Sequence, residues 1–510
     1  MLKTLKIAVT LFWLSAVSYS QAAHAAWIFP EKLRAVHFWQ AKGNGVDGSY
    51  IHNSLRGLDL SRLDADMQRI SLQGFNSIVF WVNWGDLMPS IYNVDNTGDW
   101  WTNGVTAVLD FQLRPNDPNN YEARLRKVVS SAKAHGLSVV ILPFSGTNPE
   151  LYSDAGVSPS NRLCSWPYGI YYKPPGASQC PPGGNPNTQY NFAMFQDNNL
   201  FGMYTVFLRR LGYVLKDEEN VYGYVMAWET GFSNGNYSVS HVQLMASNLK
   251  ANNPSKRVGH YPKPGSDAAM YYVNGTDFVA IGWYGKGLYG LLNDHIIYTA
   301  KQSTVAGAPT NFPIFVYEYG YNDASACMNP YPCKTDDYSN PVPEYNVGRS
   351  NQADFVNIIA SQLEADNRIK GYSYWGLQDN DLWQGQTRGM GLIDAYGLAK
   401  PAWNTVGEIL KTPSISGLGL GCANGECIWI NGKRFAGEYE NATVFPGYCH
   451  VDFYAPDWSA YLQSVKADYC SDTAITLTIP TWIRTQYAGV NLTVVNKYNR
   501  WTAPTYLALH

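Results

Sequence analysis

The chain has 510 residues, of which 15% are charged and 14% aromatic, with a formal net charge of -3. That length accommodates two or three domains, and so sparse and balanced a charge excludes the concentrated basic surface of a nucleic-acid-binding protein. The 17 Trp and 37 Tyr supply many flat amphipathic rings, which fill cores and also stack on sugars.

At the amino terminus Lys3 and Lys6 precede an apolar run over 7–17, and the small residues Ala23 and Ala25 flank His24. This order predicts a secretory leader over 1–25, cleaved near Ala25, and a secreted or periplasmic mature protein. The apolar run is too short for a membrane span and no later segment is long enough. No membrane span is expected, and a soluble monomer is.

From Arg34 to Lys411 short apolar runs alternate with helical periodicity. The spacing predicts strands at 35–39, 75–82 and 137–143, a fourth ending at Glu229, then 256–260, 277–283, 314–317 and 371–375. Helical spacing covers 60–72, capped by Asp59 or Ser61 and ended by Gly74, then 121–134, closed by Gly136, and 192–215. Eight strands with intervening helices over 26–412 predict an α/β fold, the (β/α)8 TIM barrel. No Gly-rich phosphate fingerprint follows any strand, which disfavours an open doubly wound sheet. A long insertion at about 146–190, rich in Pro, Gly, Tyr and Cys, reads as a disulfide-pinned wall of a binding cleft.

Past Thr412 the pattern changes. Short strands at 427–430, 450–454, 474–480 and 490–495, with no helical periodicity, predict a small Ig-like β-sandwich over 413–510. Eight cysteines, clustered in an exported chain, predict four local disulfides. Cys164 and Cys180 flank one loop and Cys327 and Cys333 another; Cys422, Cys427, Cys449 and Cys470 leave three pairings open. No CxxC is present, and neither a metal nor a cofactor is expected.

Two glutamates follow apolar strand-like runs. Glu229 closes the run from Tyr224 through Met226 and Trp228, and Glu318 closes the run from Ile314 through Tyr317. A carboxylate that ends a parallel barrel strand emerges at the edge where barrel enzymes carry their chemistry. Two meeting there are the minimum apparatus of glycoside hydrolysis. Either alone reads equally well as a hydrogen-bonded strand end; the repeat, with aromatic neighbours both times, points to catalysis.

The region from Arg34 to Lys411 resembles the retaining glycoside hydrolases of clan A, the superfamily that contains families 5 and 39. The resemblance rests on Glu229 and Glu318 at the fourth and seventh strand ends, Glu318-Tyr319-Gly320, Trp375 ending the eighth strand, and the stretch 391–403 after it. It implies Glu229 as acid/base and Glu318 as nucleophile, acting through a covalent glycosyl-enzyme. Their carboxyls would stand about 5–5.5 Å apart, so ionising one raises the pKa of the other. The implied substrate is a β-linked polysaccharide or oligosaccharide; the aromatic loop and the insertion after the third strand favour a cleft that cuts it internally. The clan's Asn before the acid/base is replaced here by Trp228, with Asn234 and Asn236 following in the loop.

Further candidates for substrate contact are His37 and Trp39 on the first strand, Asn83 and Trp84 ending the second, and Trp100 and Trp101 in a loop. His260 at the fifth strand, Tyr284 past the sixth and Trp375 complete the set. The resemblance makes Tyr284 a donor to the nucleophile and Trp375 an aromatic platform. The bland readings are satisfied core histidines and packed aromatics. The run 378–381 reads as an exposed capped turn. Two other functions stay open: a non-catalytic carbohydrate-binding or matrix protein on an inactive barrel, favoured by the missing Asn before Glu229, and an exo-glycosidase or transglycosylase, which uses the same two glutamates.

Overall fold

The computed structural model describes residues 27–40, 55, 57–83, 87, 121–144, 163–166, 169–172, 198–226, 238–262, 266–283, 289–321, 349–379, 390–394, 396–411, 413–422, 425–433, 435, 449–457, 459–471, 473–496, 502 and 504–509. In chain order these carry β1 (Leu33–His37), α1 (Leu63–Leu72), β2 (Ser77–Asn83), α2 (Tyr121–Ala134), β3 (Ser138–Phe144), β4 (Leu163–Trp166) and β5 (Gly169–Tyr172). Next come α3 (Asn198–Val214), β6 (Val221–Met226), α4 (Val239–Lys250), β7 (Arg257–His260), β8 (Phe278–Trp283), α5 (Tyr289–Val305), β9 (Ile314–Tyr319), α6 (Arg349–Ala365), β10 (Ile369–Tyr374) and α7 (Pro401–Lys411).

Strands β1, β10, β9, β8, β7, β6, β3 and β2 pair in that order, all parallel, and β2 returns to β1 to close a barrel. Every expected barrel strand has its counterpart, so this part of the chain is a TIM barrel. The edges differ. β1 begins two residues early, and α1 starts at Leu63 because Asp59 Oδ1 accepts from Ser61 N at 2.9 Å and Ser61 Oγ at 2.6 Å. Those bonds hold a turn where the helix was expected to begin. The expected insertion contains the antiparallel hairpin β4–β5.

Alternation along the strands separates two cores. Ile78, Phe80, Val82, Val316, Tyr319, Tyr372 and Tyr374 face the helices, while Leu33, Ala35, Val79, Trp81, Phe278, Phe315 and Tyr317 fill the barrel. Glycines make room for the two phenylalanines. A Cβ on Gly259 would come within 1.9 Å of the Phe278 ring, and one on Gly371 within 2.5 Å of the Phe315 ring.

Near the amino end of the strands, Arg34 forms paired 3.0 Å hydrogen bonds to Glu364, which also accepts from Tyr372 Oη at 2.7 Å. Lys32 donates to the carbonyls of Leu363, Glu364 and Asp366 at 2.7–2.8 Å and so caps the end of α6. This end of the barrel is held by buried charge and these hydrogen bonds, away from the carboxyl edge of the strands.

The carboxyl-terminal region is a sandwich, as expected. Its strands are β11 (Ser414–Gly421), β12 (Cys427–Lys433), β13 (His450–Tyr454), β14 (Tyr461–Lys466), β15 (Tyr469–Cys470), β16 (Ala474–Thr478), β17 (Gly489–Val495) and β18 (Thr505–Ala508), with the six-residue helix α8 (Thr481–Gln486). Antiparallel sheets β11-β12-β16-β15 and β14-β13-β17-β18 bury Ile428, Ile430, Ile475 and Leu477 against Val451, Phe453, Leu492 and Val494. The helix was not expected; it starts directly after Pro480. Cys422 pairs with Cys427 and Cys449 with Cys470, which selects one of the three open connectivities. The loops of Cys180, Cys327 and Cys333, and the side chain of Cys164, lie outside the described residues. Asn496 Nδ2 donates to Lys411 O at 2.7 Å, tying the sandwich to the last barrel helix.

Candidate active site

Parallel strands put all their carboxyl ends at one mouth, and Glu318 stands there near the end of β9. Strict alternation would turn it towards the helices, because Tyr317 faces the barrel interior. The register shows otherwise. Ile281 and Gly282 of β8 pair with Val316 and Glu318, so one residue of β9 is skipped. On the other side, Tyr372 and Tyr374 of β10 pair with Val316 and Tyr319, again leaving one extra residue on β9. Both neighbours therefore locate a β-bulge at Tyr317–Glu318. Past it Tyr319 faces the helices, packed against Phe355, Tyr372 and Tyr374. The bulge re-aims Glu318 into the mouth, where it is only 4% exposed.

Gly282 leaves the space beside it open. A Cβ there would lie 3.8 Å from Glu318 Oε2 and 3.9 Å from Tyr261 Oη. Tyr261, the residue after β7, packs at a tilt against Tyr317 with ring centroids 5.3 Å apart. The Tyr261 hydroxyl and the Glu318 carboxylate thus border one small volume.

Through Tyr317, whose ring centroid is 6.5 Å from that of His37, they adjoin an aromatic cluster. Trp375 lies 4.8 Å from His37, 5.5 Å from Trp39 and 5.6 Å from Trp81, centroid to centroid. Trp39 Nε1 donates to Gln378 O at 2.8 Å, and Gly376, at φ 97°, turns the chain beneath it. A side chain at that φ is strained, and a Cβ would meet the Trp39 ring at 2.6 Å.

His37 is fully buried. Its Nδ1 accepts from Trp81 Nε1 at 2.8 Å, and its Nε2 lies 2.7 Å from Tyr317 O. An indole N–H only donates, so Nδ1 carries the lone pair and the proton sits on Nε2, directed at the carbonyl. Burial pushes the imidazole down to about 3, the bond to Tyr317 opposing the shift. It is neutral at working pH, with both nitrogens engaged by protein. It therefore does not bond sugar hydroxyls in this arrangement, which corrects the sequence expectation.

His260 departs further. Gly259 takes the inward position on β7, so His260 turns outward, towards Met270, and burial likewise lowers it to about 3. The barrel wall stands between it and the mouth. The loop after β10 also differs from expectation. Gln378 and Asp379 are buried, not an exposed turn, and Asp379 Oδ1 accepts from Lys400 Nζ at 2.7 Å and Gly391 N at 2.8 Å. Lys400 is 0% exposed. A buried ion pair therefore holds the strap beneath Trp375 and Trp39.

Of the sequence candidates, Glu318, His37, Trp39 and Trp375 gather at the mouth. Asn83 ends β2 there by its backbone. Glu229, Trp84, Trp100, Trp101 and Tyr284, like Trp228, Asn234, Asn236 and the side chain of Asn83, lie outside the described residues. Trp81, Tyr261 and Gly282 were missed. Strand parity in β2 marks Trp81 as inward, and parity from Phe278 and Gly259 marks Gly282 and Tyr261 in the same way.

Fold and site define a parallel α/β-barrel protein with a buried carboxylate in an aromatic-lined mouth. No protein-family model matches the chain, and no curated protein matches it. Among solved structures it is similar to GH5_18 from Streptomyces cattleya in complex with GlcNAc, at 15% identity, covering 76% of this chain and 80% of that one, with a TM-score of 0.46. It is also similar to an exo-beta-1,4-mannosidase from Opitutaceae bacterium strain TAV5, at 14% identity, covering 76% and 60%, with a TM-score of 0.45. An FMN-binding beta-glucuronidase from Facaelibacterium prausnitzii L2-6 matches at 12% identity over 94% and 56%, with a TM-score of 0.43. The barrel rests on its own strand register, not on these distant likenesses.

Proposed function

We propose that the protein is an exported glycoside hydrolase that cleaves β-linked polysaccharide internally with retention of configuration. The observation that carries this reading is the bulge that turns Glu318 into an aromatic-lined mouth at the carboxyl edge of the seventh barrel strand. Glu318 is the nucleophile. Glu229, three residues past the end of β6, is the acid/base.

In the first step Glu229 gives its proton to the leaving oxygen while ionised Glu318 attacks the anomeric carbon. In the second, Glu229 takes a proton from water, which displaces Glu318 and restores both groups. Tyr261 supports the attacking carboxylate by directing its hydroxyl into the volume left by Gly282, the task that the family resemblance gave to Tyr284. Trp375, Trp39 and Trp81 form the floor and exclude water, which strengthens every charge interaction within. Trp84, Trp100, Trp101 and Asn83 extend the substrate cleft, and the insertion at 146–190 supplies its wall.

The two disulfides among the described residues suit an oxidising compartment, and no described helix is long and apolar enough to cross a membrane. The same reading divides the chain into a leader over 1–25, a catalytic barrel over 26–412 and a sandwich over 413–510. The test is reducing-end release from a panel of β-linked polysaccharides, with wild type beside Glu229→Ala and Glu318→Ala, folding of each variant verified. Activity lost in both variants supports the reading. Saturable polysaccharide binding with no turnover on any substrate replaces it with a carbohydrate-binding protein.

A further inference from the structure

The bulge that aims Glu318 has a structural cost. An extra residue in a ladder leaves backbone groups without their regular partners, and buried carbonyls are almost always satisfied. At this bulge a donor to the Tyr317 carbonyl comes from the side chain of His37, on β1, beyond the intervening strand β10. The ladder recovers immediately afterwards, where Trp375 N donates to Tyr319 O at 2.7 Å.

The bond from His37 is itself fixed by a third residue. Trp81 Nε1–H occupies Nδ1 and leaves Nε2 as the one protonated nitrogen. A second proton, on Nδ1, would set donor against donor. The rings of Trp375 at 4.8 Å and Trp81 at 5.9 Å limit rotation of the imidazole. Trp81, His37 and the Tyr317 carbonyl therefore form a directed chain ending one residue before Glu318.

We propose that His37 is a positioning residue, which with Trp81 clamps the Tyr317 carbonyl and so fixes the direction of the Glu318 carboxylate. This rests on the reading of Glu318 as the nucleophile. His37 touches no reacting atom. It works by keeping the bulge in one conformation, so that the carboxylate approaches the anomeric carbon without first having to be oriented.

Three variants test it: His37→Leu removes the donor, His37→Gln restores an amide N–H near the position of Nε2, and Trp81→Phe removes the group that sets the tautomer. On a soluble substrate cut by wild type, His37→Leu is expected to lower kcat on the order of a hundredfold, the cost of a misplacement near 1 Å, with KM within about twofold. His37→Gln recovers most of the loss. Trp81→Phe lowers kcat in the same manner. A rise in KM with kcat unchanged in His37→Leu overturns the proposal in favour of substrate contact, and wild-type kinetics in it overturn the proposal outright. Activity in Glu318→Ala overturns the parent reading and this one together. His37→Leu at wild-type rates beside an inactive Glu318→Ala overturns this one alone.

A second measurement does not depend on turnover. Imidazole nitrogen-15 spectra of wild type, with His37 identified by its loss in His37→Gln, are expected to show the proton on Nε2. In Trp81→Phe that preference weakens. A proton on Nδ1 in wild type overturns the proposal even if His37→Leu and Trp81→Phe fold poorly.

Discussion

Two buried neutral imidazoles make the barrel sensitive to acid in a way that can be calculated. His37 and His260 are both held near a pKa of 3, against 6.5 for the free side chain, chiefly by burial. As pH falls below the unfolded value, the unfolded chain binds protons that the folded chain refuses. The stability tied to these residues is thus complete above that value and is lost progressively as pH falls towards the folded one. At about pH 5 each ring accounts for roughly 2 kcal/mol, so the pair accounts for about 4 kcal/mol. Carboxylates contribute in the same range, so the comparison must be between wild type and the double variant His37→Gln/His260→Leu. Urea midpoints measured at about pH 8 and about pH 5 should fall further in wild type, by on the order of 1 M. Each single variant should remove about half of the difference. Parallel pH curves for wild type and the double variant would refute the assignment of neutral buried histidines.

Other expectations follow from the strap and the space beside Glu318. Lys400→Met leaves the Asp379 carboxylate buried without its cation and should destabilise the protein by about 3–5 kcal/mol, whereas Lys400→Met with Asp379→Asn should recover most of that. Chemical denaturation of the two proteins decides it, and equal stability of both would mean that the pair is not truly buried. A Cβ on Gly282 meets only ordinary contacts at 3.8–3.9 Å, so Gly282→Ala should fold and retain activity. Gly282→Leu fills the volume shared with Tyr261 and should lower kcat/KM by about a hundredfold or more. Loss of the same size in Gly282→Ala would instead indicate a backbone requirement at that position.

Much of the barrel was legible in the sequence because its strands are short apolar runs punctuated by glycine and helical periodicity. Eight such runs in order suffice for the architecture. The placement of Glu318 at a strand end was equally visible. Its direction was not, because a bulge belongs to the pairing between strands and leaves no local mark. Parity likewise decided the histidines: both lay on expected strands, yet one turned inward to an indole and a carbonyl, and the other outward to Met270. The Asp379–Lys400 pair escaped notice because its partners are 21 residues apart across a loop and α7 lies beyond. In the sandwich, β11 was missed because Gly417, Gly419 and Gly421 depress its strand propensity. The structure explains them: a Cβ on Gly419 would meet the Trp429 ring at 2.5 Å. β14 was missed because its residues are mostly exposed and polar, with no apolar run to read.

The central claim is that Glu318 is the nucleophile of a retaining reaction with Glu229 as its acid/base. The most direct measurement is azide rescue of Glu318→Ala and Glu229→Ala on an activated aryl β-glycoside that wild type cleaves, with the anomer of the glycosyl azide identified by proton NMR. Azide takes the place of the missing nucleophile in Glu318→Ala, so the expected product is the α-azide. In Glu229→Ala it attacks the covalent intermediate, so the expected product is the β-azide. The reverse pattern would exchange the roles of the two glutamates, and undiminished hydrolysis by Glu318→Ala without azide would contradict the claim altogether.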